Sequence, residues 1–170
     1  LQMAAEILAS AHPPRCVLEN VPRVHFYEGG DPCPEDVPFP SCMRVCLEYL
    51  GQGLGCKLTS AQHASWQVDC GYAFMMGVSG AAFHLSWGAG WRGDNVALHY
   101  MSDDPAAPYR RAFQAAGYAP EILCPMDAAW NETNARARII ESICERRRPV
   151  LVFGAVGPPE PCLIAGYDEV

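Results

Sequence analysis

Four prolines fall within residues 32–40 (Pro32, Pro34, Pro38 and Pro40), and they constrain this chain more than any other feature. Each removes a backbone donor and biases the residue before it toward extended geometry, so the stretch reads as non-helical. The constraint ends at Ser41, an N-cap residue directly before Cys42-Met43-Arg44-Val45-Cys46-Leu47-Glu48-Tyr49-Leu50, and Gly51 follows in the position that closes a helix. The spacing therefore predicts a helix over 42–50, entered from a rigid extended segment.

Around it the pattern mixes both element types. Val21 to Tyr27 reads as a strand stopped by Gly29-Gly30-Asp31-Pro32, and Thr59 to Trp66 as a second helix. Phe83, Leu85 and Trp87 alternate with His84 and Ser86 as on a strand, and Val96, Leu98 and Tyr100 alternate around His99 over 95–101. Asp104 with Pro105 opens a helix that Gly117 stops, and Tyr118 to Cys124 reads as extended. Glu132 to Arg147 forms a further helix, with Ile139/Ile143 and Ile140/Cys144 at four-residue spacing and Arg146 to Arg148 at its negative dipole end. Pro149 then breaks into Val150 to Gly154, an apolar run typical of a central strand. Cys162 to Glu169 is a strand entering a turn whose hairpin partner is expected beyond Val170.

A chain of 170 residues suits one core. Half the residues are hydrophobic and 18% are charged, with no apolar run near the roughly 18 to 20 residues that span a bilayer, so a membrane or disordered protein is not expected. The net charge of -7 argues against a nucleic-acid partner. Nine cysteines, an odd number spread along the chain, look unlike a disulfide framework, and Leu1 to Ala11 lacks the basic start of a signal peptide. The expectation is a cytoplasmic protein with mostly reduced, buried thiols.

Among those thiols Cys42 stands out. A cysteine in the first turn of a helix faces unsatisfied N–H groups and the positive end of the dipole, which favour thiolate and could hold an oxyanion. The competing reading is that Cys42 and Cys46, four apart, pack the helix. Of His12, His25, His63, His84 and His99, the strand histidines His84 and His99 are the candidate bases, with His84 preferred because Gly77 to Ala82 would let a substrate approach. Gly88-Ala89-Gly90-Trp91-Arg92-Gly93 lacks the helix that a dinucleotide fingerprint requires, and Gly77-Val78-Ser79-Gly80-Ala81 ends in alanine where a nucleophile elbow needs glycine. No zinc-ligand spacing occurs, and Asp104 of the Asp103-Asp104 pair is already explained as a cap; neither metal nor cofactor is expected.

The string from Cys33 to Gly51, followed by Met75-Met76-Gly77-Val78-Ser79-Gly80-Ala81-Ala82-Phe83, resembles a family of bacterial proteins of uncharacterised function over about residues 16–170. More distantly it is similar to the butirosin biosynthesis protein H family and to the papain-like peptidases that process double-glycine leader peptides. The resemblance implies a papain-like α+β fold over 16–170, with 1–15 as an N-terminal extension and a cysteine-bearing helix packed on an antiparallel sheet. It also implies Cys42 as nucleophile and a histidine opening the strand that ends in Gly166-Tyr167-Asp168. Pro161 and Cys162 stand in that region, and the oxyanion glutamine has no counterpart among Asp36 to Pro40. The activity expected is acyl transfer or amide-bond processing on a small acyl, amino-acid or short-peptide substrate, with Cys42 as nucleophile and His84 as base. The alternative is an inactive papain-like module that binds a ligand or regulates a partner.

Overall fold

The computed structural model describes residues 12–24, 35–59, 67–84, 97–125, 127, 130–155 and 160–168. They form a mixed α+β structure of helices and small antiparallel sheets. The chain divides into two compact units: Leu1–Val21 with Glu121–Val152 and Leu163–Val170, and Pro22–Pro120 with Phe153–Cys162.

The second unit is built on helix α1, Pro38–Tyr49. Its start corrects the expectation drawn from the prolines. Val37, in extended geometry, is the N-cap, and Pro38 and Pro40 belong to the first turn. There a missing N–H removes no helical bond and the fixed φ already suits the helix, so these two prolines begin the helix. Ser41 is therefore an interior residue and not the cap, and its amide bonds back to Val37 O at 3.3 Å. The far end is as expected. Gly51 has φ +72°, its amide bonds to Glu48 O, and the Gln52 amide bonds to Leu47 O at 2.7 Å, which closes the last carbonyls in a Schellman turn. Gly51→Ala should cost about 1 kcal/mol, because open space surrounds the site and only the left-handed backbone opposes a Cβ; urea denaturation measures it.

Helix α2, Cys70–Ser79, packs on α1, and helix α3, Ala107–Ala115, packs on α2. This is helix on helix, where the resemblance implied chiefly helix on sheet. Asp69 caps α2 by accepting from the amides of Gly71 (2.7 Å) and Tyr72 (3.2 Å). Gly71 lies so close to α1 that a Cβ would stand 3.0 Å from Arg44 Cγ, so the two helices approach where a side chain is absent. Tyr72 Oη accepts from the Val37 amide at 3.1 Å and ties α2 to the start of α1. Val45, Met43, Met75, Leu98 and Ala112 are buried in this unit, and the Tyr109 ring meets Phe39 edge to face (centroids 4.8 Å) and Phe153 at a tilt (4.9 Å). Short strands β2 (Lys57–Thr59) and β3 (Gln67–Asp69) pair antiparallel, Leu58 opposite Val68, and a disulfide joins Cys56 to Cys70 just beyond the pair.

Other expectations in this unit change. Val21 to Arg23 and Val24 adopt no regular structure, and the rest of the strand expected at 21–27 lies outside the described residues. Thr59 ends β2, and 60–66 of the expected second helix also lie outside them. Phe83, expected on one face of an alternating strand, ends a 3-10 turn (Ala81–Phe83) and is 80% exposed. Leu98–Tyr100 is likewise a 3-10 turn and not a strand. Asp104 caps a turn two residues ahead of α3, accepting from the Ala106 amide, and Gly117 closes α3 as expected.

In the first unit strands β1 (Arg15–Val17) and β6 (Gly166–Asp168) pair antiparallel, Cys16 opposite Tyr167. The late strand therefore finds its partner near the start of the chain, and a boundary at residue 15 falls inside β1. Helix α4, Glu132–Cys144, packs on β1, with Asn131 capping the Asn134 amide and Ile140 and Ile143 buried. It ends three residues earlier than expected. Arg147 takes φ +53°, and Arg146 turns back to Glu141 of the helix at 2.6 Å, so these arginines lie past the helix end and not in its last turn. Strands β4 (Val150–Phe153) and β5 (Pro161–Ile164) form a two-stranded sheet, so β4 is not a central strand among the described residues.

Candidate functional site

Because α1 begins at Pro38, Cys42 is its fifth residue and not a first-turn residue. Of the first four positions, Pro38 and Pro40 carry no N–H and Ser41 has given its own to Val37, which leaves Phe39 alone. The array of donors that would hold a thiolate or an oxyanion at Cys42 is therefore not formed by this helix start.

The Cys42 side chain is 1% exposed, and its Sγ donates to the Pro161 carbonyl at 3.6 Å. Burial pushes the thiol up to about 12; Cys46 and Cys162 add to the rise, and the Arg44 charge only partly opposes it. Cys46 is also pushed up to about 12 by burial. Both are protonated, packed thiols at neutral pH.

His84 follows the 3-10 turn in extended geometry and is half-buried. Among the described residues it makes no hydrogen bond to Cys42. His99 rests against the Tyr100 ring at 4.1 Å and His12 reaches Glu145 at 3.7 Å, so neither joins Cys42. His25 and His63 lie outside the described residues. What the structure does bring to Cys42 is Pro161, the opening of β5.

A buried polar network on the same helix was not visible in the sequence. Glu35 is 2% exposed and Arg44 5%. Arg44 Nε lies 2.9 Å from Glu35 Oε1, its other nitrogens reach Glu35 Oε2 (3.0 Å), Glu48 Oε2 (2.7 Å) and the Arg23 carbonyl (3.0 Å), and Ser41 Oγ donates to Glu35 at 2.5 Å. The Ser41/Arg44/Glu48 spacing is a helical face that could have been read. Glu35 precedes the helix, so no periodicity points to it.

In the first unit a cleft of about 340 Å³ opens beside α4 and β6. Trp130, Ala135, Ile139, Ile140 and Tyr167 give it apolar walls, and Glu132, Arg136 and Asp168 are its charged members. It is within the size range of small-ligand sites and contains no residue nominated from the sequence. No cluster of three or more metal-ligating side chains occurs among the described residues, and no described helix is long and apolar enough to cross a membrane. Comparison with protein-family models, curated proteins and solved structures gives no match to this chain.

Proposed function

We propose that the chain is a papain-like module that binds a small-molecule or short-peptide ligand without using Cys42 as a nucleophile. One observation carries this reading: the Cys42 sulfur lies 3.6 Å from the Pro161 carbonyl. In the leader peptidases that the sequence resembles, a histidine opens the corresponding strand. Here the nucleophile position and the base position meet, and the base position holds Pro161 and Cys162, neither of which can take a proton from a thiol as imidazole does. The raised Cys42 pKa and a helix start that two prolines strip of N–H donors support the same conclusion. The proposed setting is cytoplasmic: Cys16, Cys42, Cys46, Cys124, Cys144 and Cys162 are unbridged, as a reducing compartment favours, while the Cys56–Cys70 bridge weighs on the other side.

A second reading keeps Cys42 as the nucleophile of an acyl-transfer or amide-processing enzyme with His84 as base. It draws on the extended Val37 and the rigid proline entry to α1, the approach expected of a nucleophile helix. Iodoacetamide labelling near pH 7.5 separates the two. A thiol at about 12 in place of 9.0 holds about a thousandfold less thiolate, so native Cys42 should label at least that much more slowly than an ordinary cysteine and reach the ordinary rate in urea. Labelling of native Cys42 faster than a small free thiol would overturn the binding-module reading.

A further inference from the structure

The first unit brings together two thiols that the Cys42 site does not use. Cys16 on β1 and Cys144 at the end of α4 belong to one cluster, gathered around Tyr167 and Arg147, and both are half-buried. Their surroundings are polar. Tyr167, opposite Cys16 in the strand pair, places its hydroxyl 3.1 Å from Cys144 Sγ and donates to the Pro13 carbonyl at 2.7 Å. Arg147 Nη1 donates to Cys16 Sγ at 3.5 Å, held there by the left-handed turn after α4. Two thiols gathered around one phenol and one guanidinium differ chemically from the buried pair Cys42 and Cys46.

We propose that Cys16 and Cys144 form a redox-active dithiol that exchanges with low-molecular-weight disulfides such as glutathione disulfide. Cys144 enters first. Its thiolate attacks one sulfur of the external disulfide, that S–S bond breaks, and one small thiolate leaves and takes up a proton. Cys16 resolves the mixed disulfide: it loses its proton, attacks the Cys144 sulfur, and expels the second small thiolate, which is protonated in turn. Two protein thiols are oxidised by two electrons and one external disulfide is reduced to two thiols. The order follows from the contacts. Arg147 donates to Cys16 Sγ, which favours the Cys16 thiolate as the group that attacks the mixed disulfide. The sulfurs must close to a bond of roughly 2.05 Å, a side-chain adjustment between β1 and α4, elements already packed together.

The test uses the full chain, reduced with dithiothreitol, moved into mixtures of reduced and oxidised glutathione, quenched in acid, alkylated and mapped by mass spectrometry. The expected product is a cross-linked pair of peptides carrying Cys16 and Cys144, two hydrogens lighter and reversed by excess reduced glutathione. Cys16→Ser should accumulate a glutathione adduct on Cys144, and Arg147→Gln should slow closure several-fold while leaving adduct formation in the Cys16→Ser background unchanged. The Cys56–Cys70 bridge serves as an internal control for oxidation. If Cys16 and Cys144 remain alkylated in mixtures that re-form Cys56–Cys70, or carry separate adducts that never resolve, the proposal is overturned.

Discussion

Arg44→Ala should lower the stability of the protein by about 3–5 kcal/mol, the range found when one partner of a buried ion pair is removed. The reason is what remains. Glu35 stays beneath α1 with its side chain 3% exposed, and it loses the guanidinium that faces both of its oxygens. Ser41 Oγ supplies one remaining donor, too little for a buried carboxylate. Loss of the bonds to Glu48 and the Arg23 carbonyl adds less, since Glu48 is half exposed and can turn to water. The Arg44 stem also packs against Gly71, so alanine leaves a gap where α1 and α2 meet. Arg138→Ala is the contrasting control: Arg138 bridges Glu121 and Glu141 with half its side chain in water, where solvent screens both pairs and their loss leaves no charge buried, so the midpoint should move little. Replacing both partners, Arg44→Met with Glu35→Leu, should recover most of the loss, short by about 1 kcal/mol for the Ser41 hydroxyl left without its acceptor. Urea midpoints at constant slope measure all three, and a cost for Arg44→Ala no larger than that for Arg138→Ala would show that Glu35 is not held in a closed site.

The same helix shows which signals in a sequence can be read and which cannot. The end of α1 was legible because Gly51 does something few other residues can do at φ +72°. The start was misplaced because proline has two opposite meanings: it breaks a helix interior and begins a first turn, and only the following tertiary contacts decide between them. That four-residue shift carried the functional reading with it, moving Cys42 from the first turn to the fifth position and into the core. Helix α2 was hidden by Gly71 and Gly77 and by the strand formers Tyr72, Phe74 and Val78; its one clear local signal was Asp69, the residue that caps it. Elsewhere Gly117 as a stop and the four-residue apolar spacing of α4 located their helices to within a few residues. The meeting of Cys42 with Pro161, 119 residues apart, has no local signature at all.

Cysteine count was the weakest guide, and the Cys56–Cys70 bridge gives the second large effect. Removing it by Cys56→Ser should cost about 3 kcal/mol, the entropy that closing a loop of about 15 residues takes from the unfolded chain. The loss should also be local. Leu58 and Val68, facing each other across β2 and β3, are both exposed, and every residue of β2 is open to water, so the hairpin buries little to hold itself together. An isolated two-stranded pair is marginal in water, and the bridge with the Cys70 amide bond to Cys56 O pins its base to the start of α2. With the bridge gone, amide exchange should accelerate first in Lys57–Thr59 and Gln67–Asp69, then at the Asp69 cap of α2, while Met75 in the middle of that helix stays protected. Uniform loss of protection through α1 and α2 would instead mean that the bridge supports the whole helical layer. The redox poise at which this bridge forms bears directly on the proposed cytoplasmic setting: retention of Cys56–Cys70 in a glutathione mixture near about -250 mV is compatible with a reducing cytoplasm, and reduction there would require an oxidising compartment for the structure described.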